Sequence, residues 1–337
     1  MAIADLTISP FHRRALPLHP GCACARHKET NMKTMHLAVA VAGASGQLGS
    51  LVVNELASQC AGHPGTTLAA ITRTPERHAA WQAQGIDVRW GDFDQPQGLA
   101  AAFHGVGRLL LISTNVIDGT GRRIAQHQHA IEAARQAGVV HIVYTSFLQP
   151  EDGKRSLLND DHRATEALLA ASGIAHTILR NAFYQDLLLA VLGAAAVDGQ
   201  LRTAMGAGHV SYVAREDCAH AAAAALADGY SGNRILDITG PASLDAPALA
   251  AIAARLFGKP VEVVHLDMDA RARHFITSGM PAPMAQMLAG IERWLATDAM
   301  HIVSDDYRVL TGRQASPVPA FLHAHRQQLL APALPPA

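Results

Sequence analysis

The sequence predicts an α/β fold, a doubly wound parallel sheet joined to a smaller mixed α/β lobe. Three observations carry that prediction. Short apolar runs alternate with helix-period patterns from residue 36 to about residue 180, the rhythm of a parallel sheet covered by helices on both faces. A glycine-rich turn, "GASGQLG" at 43–49, joins the first apolar run to the first helical pattern. After about residue 180 the alternation loosens, which marks a second, less regular lobe. Right-handed crossovers between successive strands give the doubly wound arrangement.

The elements follow in order. "HLAVAVA" (36–42) reads as a buried strand, and 47–60 as a helix with Leu48, Leu51, Val52 and Leu56 on one face. "TTLAAIT" (66–72) is the second strand, and "PERHAAWQAQG" (75–85) a helix with proline in its first turn and glycine at its end. "IDVRW" is the third strand, "PQGLAAAFHG" a short helix and "RLLLIS" (108–113) the fourth strand. A long helix over about 121–137 leads to "VVHIVYTS" (139–146), then a helix over 157–172 to "AHTILR" (175–180). Beyond it, the pattern predicts a helix at 183–195 and a strand running into a helix in "HVSYVAREDCAHAAAAALAD". A strand at 234–240, a helix at 245–257, a strand at 261–267 and a Met- and Pro-rich helical region to about 297 complete the second lobe. The expected organisation is a disordered extension (1–34), a main domain (35–182), a smaller lobe (183–325) that can return elements to the main sheet, and a disordered tail (326–337).

Composition narrows the function classes. The chain has 337 residues, 49% of them hydrophobic, and a net charge of -1. Nothing in that balance points to nucleic acid or an acidic membrane surface, and no apolar run reaches the ~18 residues of a membrane span. Cys22, Cys24, Cys60 and Cys218 are too scattered for a disulfide framework, and the first 34 residues lack the apolar stretch of a signal peptide. These features predict a cytoplasmic protein, monomeric or homodimeric. Met32 and Met35 lie just before the first strand, so the extension also reads as translation from an upstream start. Its "HPGCACARH" stretch matches no zinc spacing and is read as an accidental cluster, so no metal is expected. The pairs His127/His129 and His323/His325 stand two apart, which on a helix puts them on different faces, and are read as solvated.

The glycine turn carries the chemistry. Gly43, Gly46 and Gly49 form G-x-x-G-x-x-G, a variant of the common dinucleotide spacing. Strand before and helix after give it the right context. Helix N-terminal N–H groups bind phosphate, missing side chains let the backbone approach a ligand, and Gly49 lets helix and strand pack closely. A bare bend is the competing reading. The second strand ends in "ITRTPER", with Arg73 where an acid would select NAD. A guanidinium binds a 2′-phosphate by charge-assisted hydrogen bonds, so NADPH is the expected cofactor, with Arg77 in support.

"GASGQLG", "ITRTPER", "GDFDQ", "LLLIS", "HQHAIEAARQAGV", "YTS" and "LRNAFY" together resemble the NmrA-like atypical short-chain dehydrogenases over roughly residues 36–320. Within that family the likeness is greatest to the small bacterial NAD(P)H:quinone reductases and their triphenylmethane reductase neighbours. The resemblance implies an NADPH-binding Rossmann domain and a substrate lobe. By position it implies Gly43, Ser45, Gly46, Gln47, Leu48 and Arg73 as cofactor residues, with Asp92 and Phe93 near the adenine. Ser113 and Thr114 would lie near the ribose, and Thr145 and Ser146 on the nicotinamide side.

Most short-chain dehydrogenases carry Tyr-x-x-x-Lys on the helix after the fifth strand. Here "DDHRATEALL" offers His162 and Glu166 at that spacing. Glu166 has the wrong charge to lower a tyrosine pKa. His162 is a candidate proton donor near neutral pH; the competing reading is a surface or capping histidine. Asn181 and Tyr184 follow the sixth strand and are candidates for the substrate cleft, or else for capping and packing. The leading expectation is an NADPH-dependent reductase of a quinone-like small molecule. The alternative is a non-catalytic dinucleotide sensor of the NmrA type. A sugar-nucleotide epimerase is disfavoured by the absent dyad.

Overall fold

The alanine- and valine-rich run Ala38–Ala42 forms β1, whose alternate side chains pack into layers on both faces of the sheet. The computed structural model describes residues 38–60, 67–150, 153 and 156–330. The expectations for the N-terminal extension and for 331–337 lie outside the described residues.

The first half follows the βαβ series. α1 (Gln47–Cys60) leads to β2 (Leu68–Thr72), α2 (Ala79–Ala83) to β3 (Asp87–Trp90), and α3 (Leu99–Ala102) to β4 (Val106–Leu111). α4 (Arg122–Gln136) precedes β5 (His141–Phe147), and α5 (Leu157–Ala171) precedes β6 (Ala175–Asn181). The second half comprises α6 (Leu187–Asp198), β7 (Gln200–Thr203), α7 (Arg215–Ala227), β8 (Arg234–Ile238), α8 (Ala246–Phe257) and β9 (Glu262–His265). Five more helices follow: α9 (Met268–Thr277), α10 (Ala282–Leu295), α11 (Asp306–Thr311), α12 (Val318–Ala324) and α13 (Arg326–Leu330).

Seven strands form one sheet in the order β3-β2-β1-β4-β5-β6-β8, every neighbouring pair parallel. The order reverses between β1 and β4, the topological switch point where such sheets bind ligands outside their carboxyl ends. α4 and α5 pack together on one face and α1 and α7 on the other. The first layer buries Ile71, Leu109, Leu111, Ala130, Ala134, Tyr144 and Leu169. Arg108, buried on β4, donates to the carbonyls of Ala225, Leu226 and Tyr230 at the end of α7. That guanidinium satisfies terminal carbonyls the helix cannot pair itself. β7 and β9 make a separate two-stranded parallel sheet in the smaller lobe.

Four local expectations need correction. The helix expected at 75–85 is a 3₁₀ turn, Pro75–Arg77, and a separate α2, because His78 between them leaves helical dihedrals (φ -119, ψ 38). The strand expected around 209–213 pairs only through isolated bridges at Val210 and Val213, while β7, short and half polar, had no sequence signal. Residues 326–330, assigned to a disordered tail, form α13 packed on α6, with Leu329 buried. His127 is fully buried rather than solvated. Residues two apart on a helix point in widely different directions, so the spacing that argued against a shared face leaves one of the pair free to face the core.

Candidate cofactor and substrate site

The glycine turn leaves β1 through Gly43, whose φ of 87° requires a residue without a Cβ. The N–H groups of Gly43 and Ala44 both bond the carbonyl of Ile71, which pins the turn to β2. Ser50 N–H bonds Gly46 O, and the donors of Gln47 and Leu48 belong to the turn that a helix leaves without intrahelical acceptors. Gly43, Ser45, Gly46 and Gln47 are exposed. Leu48 is buried, so its contribution to any ligand is its backbone. A Cβ on Gly46 would stand 3.3 Å from Gly43 O, whereas one on Gly49 would run into Gly43 O and lie 2.8 Å from Ala44 O. Gly46 therefore keeps the outer surface of the turn bare, and Gly49 lets α1 lie against it.

Thr72, the last residue of β2, donates to Ser45 Oγ (2.9 Å) and ties the turn to the strand that carries Arg73. The side chains of Arg73 and Arg77 are exposed. The nearby Asp94 carboxylate is paired with Arg122 (2.6 Å). That hydrogen bond, followed by one from Gln126, holds its carboxyl below the usual range. Asp92 accepts from the backbone of Asp94 (3.0 Å), and Phe93 packs half-buried on the core while its carbonyl accepts from His129.

The ends of β4 and β5 are locked together. Thr145 Oγ1 accepts from Ser113 N–H (2.9 Å), and the N–H of Thr114 donates to His127 Nε2 (3.0 Å). His127 Nδ1 is therefore the protonated nitrogen and donates to Thr165 Oγ1 (2.8 Å), which itself donates to Asp161 O. Burial, reinforced by Arg123, lowers the His127 pKa to about 3. The Thr114 hydroxyl is buried without a partner. Thr145 and Ser146, expected on the nicotinamide side, are both buried, and Ser146 is committed to Glu166 (2.6 Å).

The H-x-x-x-E pair does not form a cleft dyad. His162 lies between α5 and the sheet, 5% exposed. Its Nε2 accepts from Arg123 Nη2 (3.1 Å), and its Nδ1 donates to Tyr144 Oη (2.8 Å). Burial and the Arg123 charge push its pKa well down, so it is neutral and internal. The expectation of a cleft proton donor is corrected on that ground. Glu166 receives both Arg180 (2.7 Å) and Ser146 and acts as a structural anchor.

Asn181, the last residue of β6, and Tyr184 just beyond it do lie together. The Asn181 side chain reaches the Tyr184 hydroxyl, and burial raises that phenol above its usual range, so it stays protonated. Asn181 Oδ1 is buried without a partner. Arg215 lies over the Tyr184 ring (5.0 Å) and is itself held by Asp186 (2.6 Å). Sequence reasoning missed the neighbours of this pair. Phe147, register partner of Asn181, packs edge-on against Phe183 (5.1 Å) and tilted against Trp294 (6.4 Å), whose indole N–H is buried without a partner. Phe183 stood inside the quoted "LRNAFY"; Trp294 comes from α10, with no local signal.

A family model described as NAD(P)H-binding matches residues 43–229. Quinone oxidoreductase 2 of Escherichia coli strain K12 is 36% identical over 251 residues, which is 74% of this chain and 85% of that protein. The chain belongs to the NAD(P)H-binding NmrA-like family. Membership makes it an NAD(P)H-dependent oxidoreductase. Among solved structures, the Citrobacter sp. triphenylmethane reductase complexed with NADP(H) superposes with a TM-score of 0.77 at 34% identity, covering 84% of this chain and 97% of that one. The NADPH complex of an Escherichia coli NADPH-dependent quinone oxidoreductase gives 0.77 at 33% identity, covering 86% and 99%. The bare glycine turn, the exposed Arg73 and the orphaned Thr114 hydroxyl fit the cofactor that this family binds.

Proposed function

We propose that the protein is an NADPH-dependent reductase of quinones or similarly conjugated acceptors, working without a Tyr-x-x-x-Lys dyad. The observation that carries this reading is the wall of Phe147, Phe183 and Trp294 beside Asn181 and Tyr184, at the carboxyl edge of β5 and β6. Flat aromatic acceptors stack on such walls.

Bound NADPH supplies the hydride. The backbone of Gly43, Ser45, Gly46, Gln47 and Leu48 would hold its pyrophosphate, with Gly49 keeping the helix N-terminus close. Arg73 would take the 2′-phosphate, Asp92 and Phe93 would flank the adenine, and Ser113 and Thr114 would meet the ribose. Thr145 and Ser146 act from behind, fixing the ends of β4 and β5 against Ser113 and Glu166.

The proton requirement selects the acceptor. A simple ketone that takes hydride becomes a strongly basic alkoxide and needs a placed acid. A quinone becomes a phenolate-like anion of much lower basicity, which a hydrogen bond can hold until water protonates it. His162 is neutral and walled in, and Glu166 is ion-paired, so neither serves as that acid. The Tyr184 hydroxyl, kept protonated by burial and held in place by Asn181, is the donor for the developing anionic oxygen. Stacking and orientation supply the remainder of the rate.

The test is NADPH oxidation by the pure protein with benzoquinones, naphthoquinones, triphenylmethane dyes and simple ketones. Turnover with the conjugated acceptors and little with the ketones is expected. NADPH binding with no turnover on any of them would replace this reading with the redox sensor.

A further inference from the structure

We propose that His209, Asp298 and His301 form a binding site for a divalent transition-metal ion, zinc being the representative case, in the small lobe and apart from the cofactor turn. One potential ligand atom from each of the three lies within 4.8 Å of the others, and no other such trio of His, Cys, Asp or Glu converges among the described residues.

Two chain segments far apart in sequence build the cluster. Asp298 follows the end of α10 in a left-handed conformation (φ 62°), the one non-glycine residue with positive φ among those described. The N–H of Asp298 bonds Leu295 O, and His301 N–H bonds Asp298 O (3.3 Å), so the chain curls and returns His301 beside Asp298. The other segment reaches it through Gly208, where a Cβ would run into the carbonyl of Leu295. His209 then donates to Asp298 Oδ1 from both its backbone N–H (2.9 Å) and its ring Nδ1 (3.0 Å). The His209 and His301 rings meet edge-on with centroids 4.7 Å apart. Just beyond them Val210 bridges to Met300, which is fully buried, and Ser211 bonds the carbonyl of Met300. The backbone carrying the three donors is therefore fixed, and a metal needs only ring rotation.

The donor set sorts the ions. Two imidazoles and one carboxylate suit zinc, nickel, copper or cobalt, whereas calcium and magnesium require more oxygen ligands. The Asp298 side chain is 50% exposed and that of His209 34%, which leaves coordination positions open to water. A bound ion would cross-link the 208–211 segment to the end of α10, the helix that carries Trp294.

The probe is zinc chloride, titrated calorimetrically into the full chain, with thermal unfolding followed in parallel. The same titration is run in a Cys22→Ser, Cys24→Ser background to remove the thiols of the N-terminal extension. His301→Ala and Asp298→Asn are the test variants; asparagine tolerates the left-handed backbone and still accepts from His209, while losing the charge. The proposal expects each variant to lose one zinc equivalent, or to bind it at least tenfold more weakly, and to lose the zinc-dependent rise in Tm, with NADPH affinity unchanged. Equal zinc binding by parent and variants would overturn it. Should the variants not fold, cobalt(II) added to the parent protein decides. Paramagnetic shifts of the His209 and His301 ring protons support the site, and their absence refutes it.

Discussion

Replacing Gly49 by alanine separates the two jobs of the glycine turn. The added methyl would overlap Gly43 O and stand 2.8 Å from Ala44 O and 2.9 Å from Ala44 C. All three are backbone atoms and cannot rotate away. Restoring ordinary carbon–oxygen contact requires α1 to retreat from β1 by on the order of 1 Å, and overpacking of that kind typically costs ~1–3 kcal/mol. The intrinsic preference of a helix for alanine over glycine returns at most ~1 kcal/mol, so a net loss of about 1–2 kcal/mol is expected. Because the retreating helix carries the N–H groups of Gln47 and Leu48 proposed to face the pyrophosphate, NADPH affinity is expected to fall with stability. Gly46→Val is the contrast. Its Cβ would be 3.3 Å from Gly43 O on the exposed side, so the fold survives while the cofactor surface is obstructed. Thermal denaturation and NADPH titration of both variants check the pair. A Gly49→Ala protein with unchanged Tm and unchanged NADPH affinity would refute the packing argument.

Arg73→Ala should weaken NADPH binding by ~1.5–3 kcal/mol, the range for hydrogen bonds to charged groups. Stability and NADH binding should stay nearly unaltered, because the Arg73 side chain is exposed; equal losses for both cofactors would remove its 2′-phosphate role. His162→Ala should cost ~2–3 kcal/mol of stability by stranding Arg123 and Tyr144, without adding or removing an ionisation in the pH dependence of kcat; a shifted pH profile would restore His162 to the chemistry. Trp294→Phe should raise KM for naphthoquinone several-fold and leave NADPH affinity alone; an unchanged KM would remove Trp294 from the acceptor wall. The buried histidines also set a pH limit. His127 and His141 have folded pKa values lowered to about 3, and that of His162 is pushed well down, all chiefly by burial. Above about pH 7 both folded and unfolded states leave them neutral, and stability from this source is full. Below the unfolded value of about 6.5 only the unfolded chain takes up protons, so these three together should remove about 3–4 kcal/mol between pH 6 and pH 5. Urea midpoints across that interval measure it; a flat response would show that the rings accept protons inside the fold.

The sheet and the tight glycine turn were legible because their signals are local. Strand and helix periods repeat along the chain, and the spacing of Gly43, Gly46 and Gly49 records a close approach between neighbours in sequence. The aromatic cluster of Phe147, Phe183 and Trp294 was not legible, because Trp294 meets Phe147 only after α10 folds back onto the carboxyl edge of the sheet. His162 misled for the opposite reason. Its position in an H-x-x-x-E pair matched the dyad spacing, but spacing along a helix does not say which side of the helix faces the ligand and which faces Tyr144. Ser146 stands where the pattern expects it, yet Glu166, which accepts from it, and Arg180, which pairs with Glu166, come from separate elements.

The parallel pairing of β8 with β6 makes the two halves of the chain a single stitch. A fragment ending after β6 would leave that strand as a bare edge, open to pairing with other chains, so the first half is not a portable nucleotide-binding module. During synthesis the sheet stays incomplete until residues 234–238 have left the ribosome, which delays its closure and lengthens exposure of its apolar faces. The same stitch limits motion in the finished protein. A lobe sewn into the sheet cannot swing away as a rigid jaw, and entry for a bulky aromatic acceptor has to come from yielding side chains and loops at the sheet's carboxyl edge.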